Sequence, residues 1–143
     1  MQTATHLHFK DNCSEAFDFY AETLGGKIVF KLTYGASPAA QHAAPESHDK
    51  IIHARLDFGG QMLLGCDALC EHYRQPQGFN VMAAVDDPAE AERIFNTLAR
   101  GGTVTMPFQQ TFWARGFGMV TDRFGTPWAV NCEKPLEAQA AAA

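Results

Sequence analysis

The sequence predicts an α+β fold: two βαβββ modules forming a curled mixed sheet around a cavity, with the helices on its outer face. Three observations carry this reading. The periodicities run strand, helix, strand, strand, strand, and that order is written twice. Landmarks recur at one constant offset, with Phe9, Phe19 and Gly25-Gly26 returning as Val85, Phe95 and Gly101-Gly102. Neither half is long enough to bury a core alone, so the halves are expected to pack as one domain over 1–135. Module 1 spans about 1–70 and module 2 about 78–135, followed by an Ala-rich tail at 136–143.

In the first module, Leu7 and Phe9 alternate with His6 and His8, the period of a strand. Asn12 is expected to cap a helix, with Glu15 three residues on in capping-box spacing. Phe17, Tyr20 and Leu24 fall on one helical face, and Gly25-Gly26 stops the helix. A strand from Ile28 to Tyr34 follows. Gly35 to Asp49 is Ala/Pro/Ser-rich and long for a compact domain, so it is expected to be a mobile lid or disordered, with His42 and His48 in solvent. Ile51 to Phe58 and Gln61 to Cys66 are strands joined at Gly59-Gly60, a hairpin signal.

In the second module, Val81, Ala83 and Val85 alternate as a strand. Asp87 caps the next helix, with Pro88 at the first helical position and Glu90 three beyond the cap. Ala91, Ile94, Phe95 and Leu98 make its apolar face. A strand-like run from Thr103 to Phe108 and strands at Phe117 to Thr121 and Trp128 to Cys132 complete the repeat.

Composition excludes several classes of partner. The chain has 143 residues, 46% of them apolar, and a net charge of −5. Mild acidity gives no reason to expect nucleic acid or an anionic membrane surface. No apolar run approaches the ~18 residues that span a bilayer. The start, Met1 to His6, lacks a basic region followed by an apolar stretch, so a cytoplasmic location is expected. Cys66, Cys70 and His72 stand close in sequence, but the Cys-x3-Cys spacing is loose and no second pair answers it. The four cysteines, Cys13, Cys66, Cys70 and Cys132, therefore read as ordinary reduced thiols.

Strand alternation divides each sheet into a helix face and an open face. Leu7, Phe9, Ile52, Ala54, Leu56 and Phe58 are assigned to the helix side of the first module. Val81, Ala83, Val85, Trp128 and Val130 take that side in the second. The open side then carries His6, His8, His53, Arg55, Asn80 and Asn131, with Met82, Ala84 and Ala129 among them. Such a mixture of polar and apolar groups suits a ligand cavity better than a wet face. Thr111 to Gly118, with Phe112 and Trp113 beside glycines, adds an aromatic anchor on a loop. His8, His53, Asn80 and Trp113 are expected to line one cavity, with Asp67 adding a carboxylate at its rim from the exit of the fourth strand.

The duplicated plan, with Asn12 to Tyr20, Thr23 to Gly26, His53-Ala54, Phe112-Trp113-Ala114 and Asp122 to Trp128, resembles the vicinal oxygen chelate superfamily. That superfamily includes glyoxalase, bleomycin-resistance and dioxygenase proteins, and the likeness is to its PhnB-like subfamily. The methyltransferase label often attached to that subfamily finds no Gly-rich nucleotide-binding turn after a strand here. The resemblance implies a homodimer. It also places the superfamily's metal-binding positions near Ala4, Leu63 or Leu64, Asn80 and Ala129, none of which offers imidazole or carboxylate. No metal and no cofactor are therefore expected. The function that follows is metal-free binding of a small, partly apolar ligand in the sheet cavity. The alternative is a glyoxalase-like isomerase or lyase, using a metal or His53 as general base.

Overall fold

The computed structural model describes residues 1–142 and divides into two compact units, Met1–Pro76 and a second that begins at Gln77. In the first, β1 (Thr5–Phe9), α1 (Cys13–Leu24), β2 (Lys27–Thr33), β3 (Ile51–Asp57) and β4 (Met62–Asp67) follow one another. In the second, the order is β5 (Val81–Ala84), α2 (Pro88–Ala99), β6 (Thr103–Gln109), β7 (Ala114–Thr121) and β8 (Pro127–Glu133), then a short terminal helix α3 (Leu136–Ala142). Each unit is thus one βαβββ module, as the repeat predicts. Its four strands form a mixed sheet, ordered β1-β4-β3-β2 in one and β5-β8-β7-β6 in the other. The first strand of each module runs parallel to its neighbour, and the other pairs are antiparallel. No helix among the described residues is long and apolar enough to cross a membrane.

One helix covers one face of each sheet because its apolar residues recur every three to four positions. Ala16, Phe17 and Tyr20 of α1 are buried against Leu7, Phe9, Ala54 and Leu56. The Phe9 and Phe17 rings meet edge to face at 5.9 Å. Gly65 in β4 makes room for them, since a Cβ there would lie 2.7 Å from the Phe17 ring. In the second unit Ala91, Ile94, Phe95 and Leu98 are buried on α2. Gly118 of β7 is the corresponding gap, where a Cβ would stand 2.7 Å from Phe95 and 2.9 Å from the Phe108 backbone. Each fully buried Phe or Leu side chain contributes about 1.5–3 kcal/mol, so these two contact zones hold much of each module together.

The helix starts differ. Asp87 caps α2 as expected, accepting from Ala89 N at 3.2 Å, with Pro88 just inside. Asn12 does not cap α1: its side chain makes no capping hydrogen bond and its Oδ1 is buried without a partner. The first helical N–H, Cys13 N, is taken instead by Asp67 Oδ1 at 2.9 Å, from the far end of β4. A carboxylate fixed by the sheet displaces the local cap because it brings a full negative charge to the positive end of the helix.

Two further expectations are corrected. Ile51, not Ile52, is the buried member of its pair, because the β2–β3 register slips between Leu32 and Thr33 and shifts the alternation by one. The segment from Gly35 to Asp49 contains 3-10 turns at Pro38–His42 and Pro45–Ser47. His42 is exposed, but His48 is half-buried, with Nε2 3.0 Å from Ala40 O and 3.1 Å from Ala43 O. Ser37 Oγ accepting from Ala39 N fixes the start of the first turn, so the segment has its own hydrogen-bonded structure rather than that of an open lid.

Candidate functional site

Strand alternation in β1 sends Leu7 and Phe9 into the core and leaves His6 and His8 exposed on the open face. The parallel register with β4 then sets His6 opposite Leu64 and His8 opposite Cys66. Arg55 of β3 pairs with Leu64, and His53 lies two residues before it on the same side. Three imidazoles therefore gather on one face of the first unit. His6 meets His8 edge-on at 5.0 Å and stacks on His53 at 6.2 Å, while Phe30 of β2 tilts against His53 at 5.8 Å. Arg55 Nε donates to His53 Nε2 at 3.1 Å. The ligand atoms of His6, His8 and Cys66 all lie within 4.8 Å of one another. Beside them Gln2, Ala4, Arg55, Asp57, Met62 and Leu64 border a cleft of about 640 Å³.

The electrostatics follow from this crowding. Partial burial, and then the neighbouring His8 and His53, hold the His6 imidazole below its ordinary pKa. Burial, reinforced by Asp67, pushes the Cys66 thiol up. Burial also raises the Tyr34 phenol, whose hydroxyl donates to Asp67 O at 2.9 Å.

Asp67 is not a rim carboxylate. It is 2% exposed, and its two oxygens accept from Cys13 N at 2.9 Å and Ile51 N at 2.8 Å. Burial raises its pKa against the pull of those two donors. It faces the helix side of the sheet because it alternates with Cys66, and it ties β4 to α1 and β3.

The open face of the second unit is apolar. Phe117, Ala114 and Ala129 are buried there, with Met106, Trp113 and Met119 packed half-buried against them. Trp113 meets Phe112 at 4.9 Å and Phe117 at 5.3 Å, both edge to face. Its backbone is pinned on both sides. Ala114 N donates to Thr111 Oγ1 at 3.0 Å, and Lys134 N donates to Trp113 O at 2.9 Å. Asn80 is exposed and donates to Met119 Sδ at 3.7 Å. Asn131 lies next to this cluster, paired with Phe117, and its Oδ1 is buried with no partner.

Of the residues singled out from sequence, His8 and His53 share the open face of the first unit, with His6 touching both. Asn80 and Trp113 belong to the second unit, and both contact the apolar cluster or its Met119. Sequence reasoning missed the pairing of Cys66 with His6 and His8. It compared Cys66 with its sequence neighbours Cys70 and His72, of which the Cys70 side chain lies outside the described residues. Only the β1–β4 register, which is non-local, brings the three together. At the positions to which the resemblance assigns a metal, Ala4, Leu63, Leu64 and Ala129 have no donor side chain and Asn80 has one amide.

Residues 1–131 match the sequence model of the family described as 3-demethylubiquinone-9 3-methyltransferase. Protein YjdN of Escherichia coli is 33% identical over 97% of this chain and 100% of its own length. The crystal structure of protein PA1353 from Pseudomonas aeruginosa superposes with a TM-score of 0.86 at 45% identity, covering 94% of this chain and 99% of that one. The fosfomycin resistance protein FosX from Listeria monocytogenes, crystallised with Mn(II), shares the fold at a TM-score of 0.66 and 7% identity, covering 96% and 95%.

Proposed function

Since the chain belongs to the 3-demethylubiquinone-9 3-methyltransferase family, PhnB-like within the vicinal oxygen chelate superfamily, we propose that it binds a small, partly apolar molecule without that superfamily's metal. The observation that carries this reading is the aromatic and thioether surface of the second unit. Trp113, Phe112 and Met119 offer apolar area that is not closed into the core, next to a backbone held by hydrogen bonds at Trp113 O and Ala114 O. Large apolar groups on a pinned backbone suit ligand contact, since little ordering entropy is lost on binding. Asn80 at the edge of that surface supplies an amide that can orient a polar group. His8 and His53 are the proposed polar contacts on the corresponding face of the first unit. The methyltransferase description does not carry over as a reaction, because α1 and α2 begin after Asn12 and Asp87 with no Gly-rich turn to hold a nucleotide. His53 is a poor general base as placed, since Arg55 occupies the Nε2 lone pair.

The test uses 8-anilinonaphthalene-1-sulfonate, an apolar aromatic anion, as probe. Trp113→Ala should weaken its binding by about 1–3 kcal/mol, the scale of losing one aromatic contact. The melting temperature should change little, because Trp113 is only half-buried. Trp128, at 1% exposure, serves as the internal reference for tryptophan fluorescence. Normal probe binding together with a much earlier melt would assign Trp113 to the core and end this reading.

A homodimer is proposed for the same chain. Each four-stranded sheet has two open edges, and β2 and β6 at those edges expose Val29, Phe30 and Val104. Edges of this kind are normally covered. Light scattering at micromolar concentration should give twice the 15.7 kDa of one chain, and a value near the single-chain mass would overturn the proposal.

A further inference from the structure

We propose that His6, His8 and Cys66 form a site for one transition-metal ion of borderline to soft character, above all Zn²⁺, with a fourth position open to solvent. This goes beyond the binding reading above, which is carried by the aromatic surface of the other unit and shares with this site only His8. The site is a consequence of register. His6 and His8 are two apart on one strand, so both project from the same side. The parallel β1–β4 pairing puts Cys66 directly across from His8.

The donor atoms lie within 4.8 Å of one another. Tetrahedral bonds of the usual length set donors roughly 3.4–3.8 Å apart. Small rotations of exposed side chains close that difference. Both imidazoles are free to make them, since among the described residues neither is held by a hydrogen bond. Two imidazoles and a thiolate select Zn²⁺, Co²⁺, Ni²⁺ or copper over Mg²⁺, Ca²⁺ or Mn²⁺, which prefer oxygen. The neighbours suit such a site. His53 stacks on His6 and is itself oriented by Arg55, as outer groups orient ligands in known metal centres. Leu64, opposite His6, also borders the cleft beside Arg55, which gives an ion or an anionic fourth ligand a way in. Binding exchanges the Cys66 thiol proton for the metal and releases that proton to solvent, with no change of oxidation state.

The experiment titrates the whole, untagged chain, reduced and freed of metal with a chelator, with Co²⁺ alone. The expected result is one equivalent bound, with a sulfur-to-cobalt charge-transfer band in the near ultraviolet and strong visible bands of a four-coordinate ion, all abolished by Zn²⁺. Cys66→Ser should remove the charge-transfer band. His6→Ala and His8→Ala should each weaken binding by at least about tenfold, while His72→Ala and Trp113→Ala titrate as the unaltered protein. Absence of the bands, a charge-transfer band that survives Cys66→Ser, or unaltered titration of His8→Ala would each overturn the proposal. Should Cys66→Ser fail to fold, the two histidine variants, at exposed positions, decide alone. Probe binding by the metal-free protein and its response to Trp113→Ala are read separately, so failure of this site and failure of the aromatic surface are distinguished, although His8 is shared.

Discussion

Asp122→Ala is expected to destabilise the second unit by about 4–5 kcal/mol. Asp122 is 4% exposed at the end of β7, and its carboxylate is a hub for the turn into β8. Oδ1 accepts from Phe124 N at 2.9 Å and from Thr126 N at 3.0 Å. Oδ2 accepts from the Trp128 indole Nε1 at 2.9 Å. Thr126 and Trp128 are each 1% exposed, so the donors left behind cannot turn to water. Each buried donor without an acceptor costs about 1–3 kcal/mol, and the three losses overlap because they share one turn. Asp122→Asn keeps an oxygen for the two backbone donors but presents either an amide N–H or nothing to Trp128, so about half of the loss is expected. Urea denaturation measures both, and the near-ultraviolet dichroism of Trp128 should fade in both variants. A cost below about 1 kcal/mol for Asp122→Ala would show that the turn is held by packing rather than by this carboxylate.

Asp67→Ala is expected to cost the first unit about 2–4 kcal/mol. The substitution orphans Cys13 N and Ile51 N, one at the start of α1 and one at the start of β3. Burial disfavours the charged form of Asp67, which offsets part of what the carboxylate supplies, so the loss is smaller than for Asp122. Asn12 does not rescue the helix start, because its side chain makes no cap. Asp67→Asn should fall between, since one amide oxygen replaces only one of two acceptors. If Asp67→Ala leaves stability unchanged and weakens probe binding instead, Asp67 acts at a ligand surface and not as the anchor of α1.

Much of the fold was legible in the sequence because it rests on local periodicity. Leu7 and Phe9 against His6 and His8 predict a half-buried strand whichever sheet it joins. Asp87-Pro88 predicts a helix start from two adjacent residues, and the structure has it. The repeated order of five elements then follows from the constant offset between the halves. The same reasoning failed at Asn12, where local cap chemistry was outcompeted by a carboxylate more than fifty residues away. It failed again at Ile51 and Ile52, where a slip in pairing reverses which of two adjacent side chains is buried.

The candidate site divides along the same line. That His6 and His8 stand on the open side of β1 was written in the chain itself, as was the run of aromatic residues around Trp113. Alternation and composition are properties of neighbouring residues. That Asp67 turns inward to hold α1 and that Cys66 meets His6 and His8 was decided only by tertiary structure. Both depend on the parallel pairing of β1 with β4, whose strands are separated by a helix and two other strands. No window of sequence contains that register. Where those strands meet the helix, the Phe17 ring occupies the space that Gly65 leaves and packs on Phe9, a contact that no local pattern specifies.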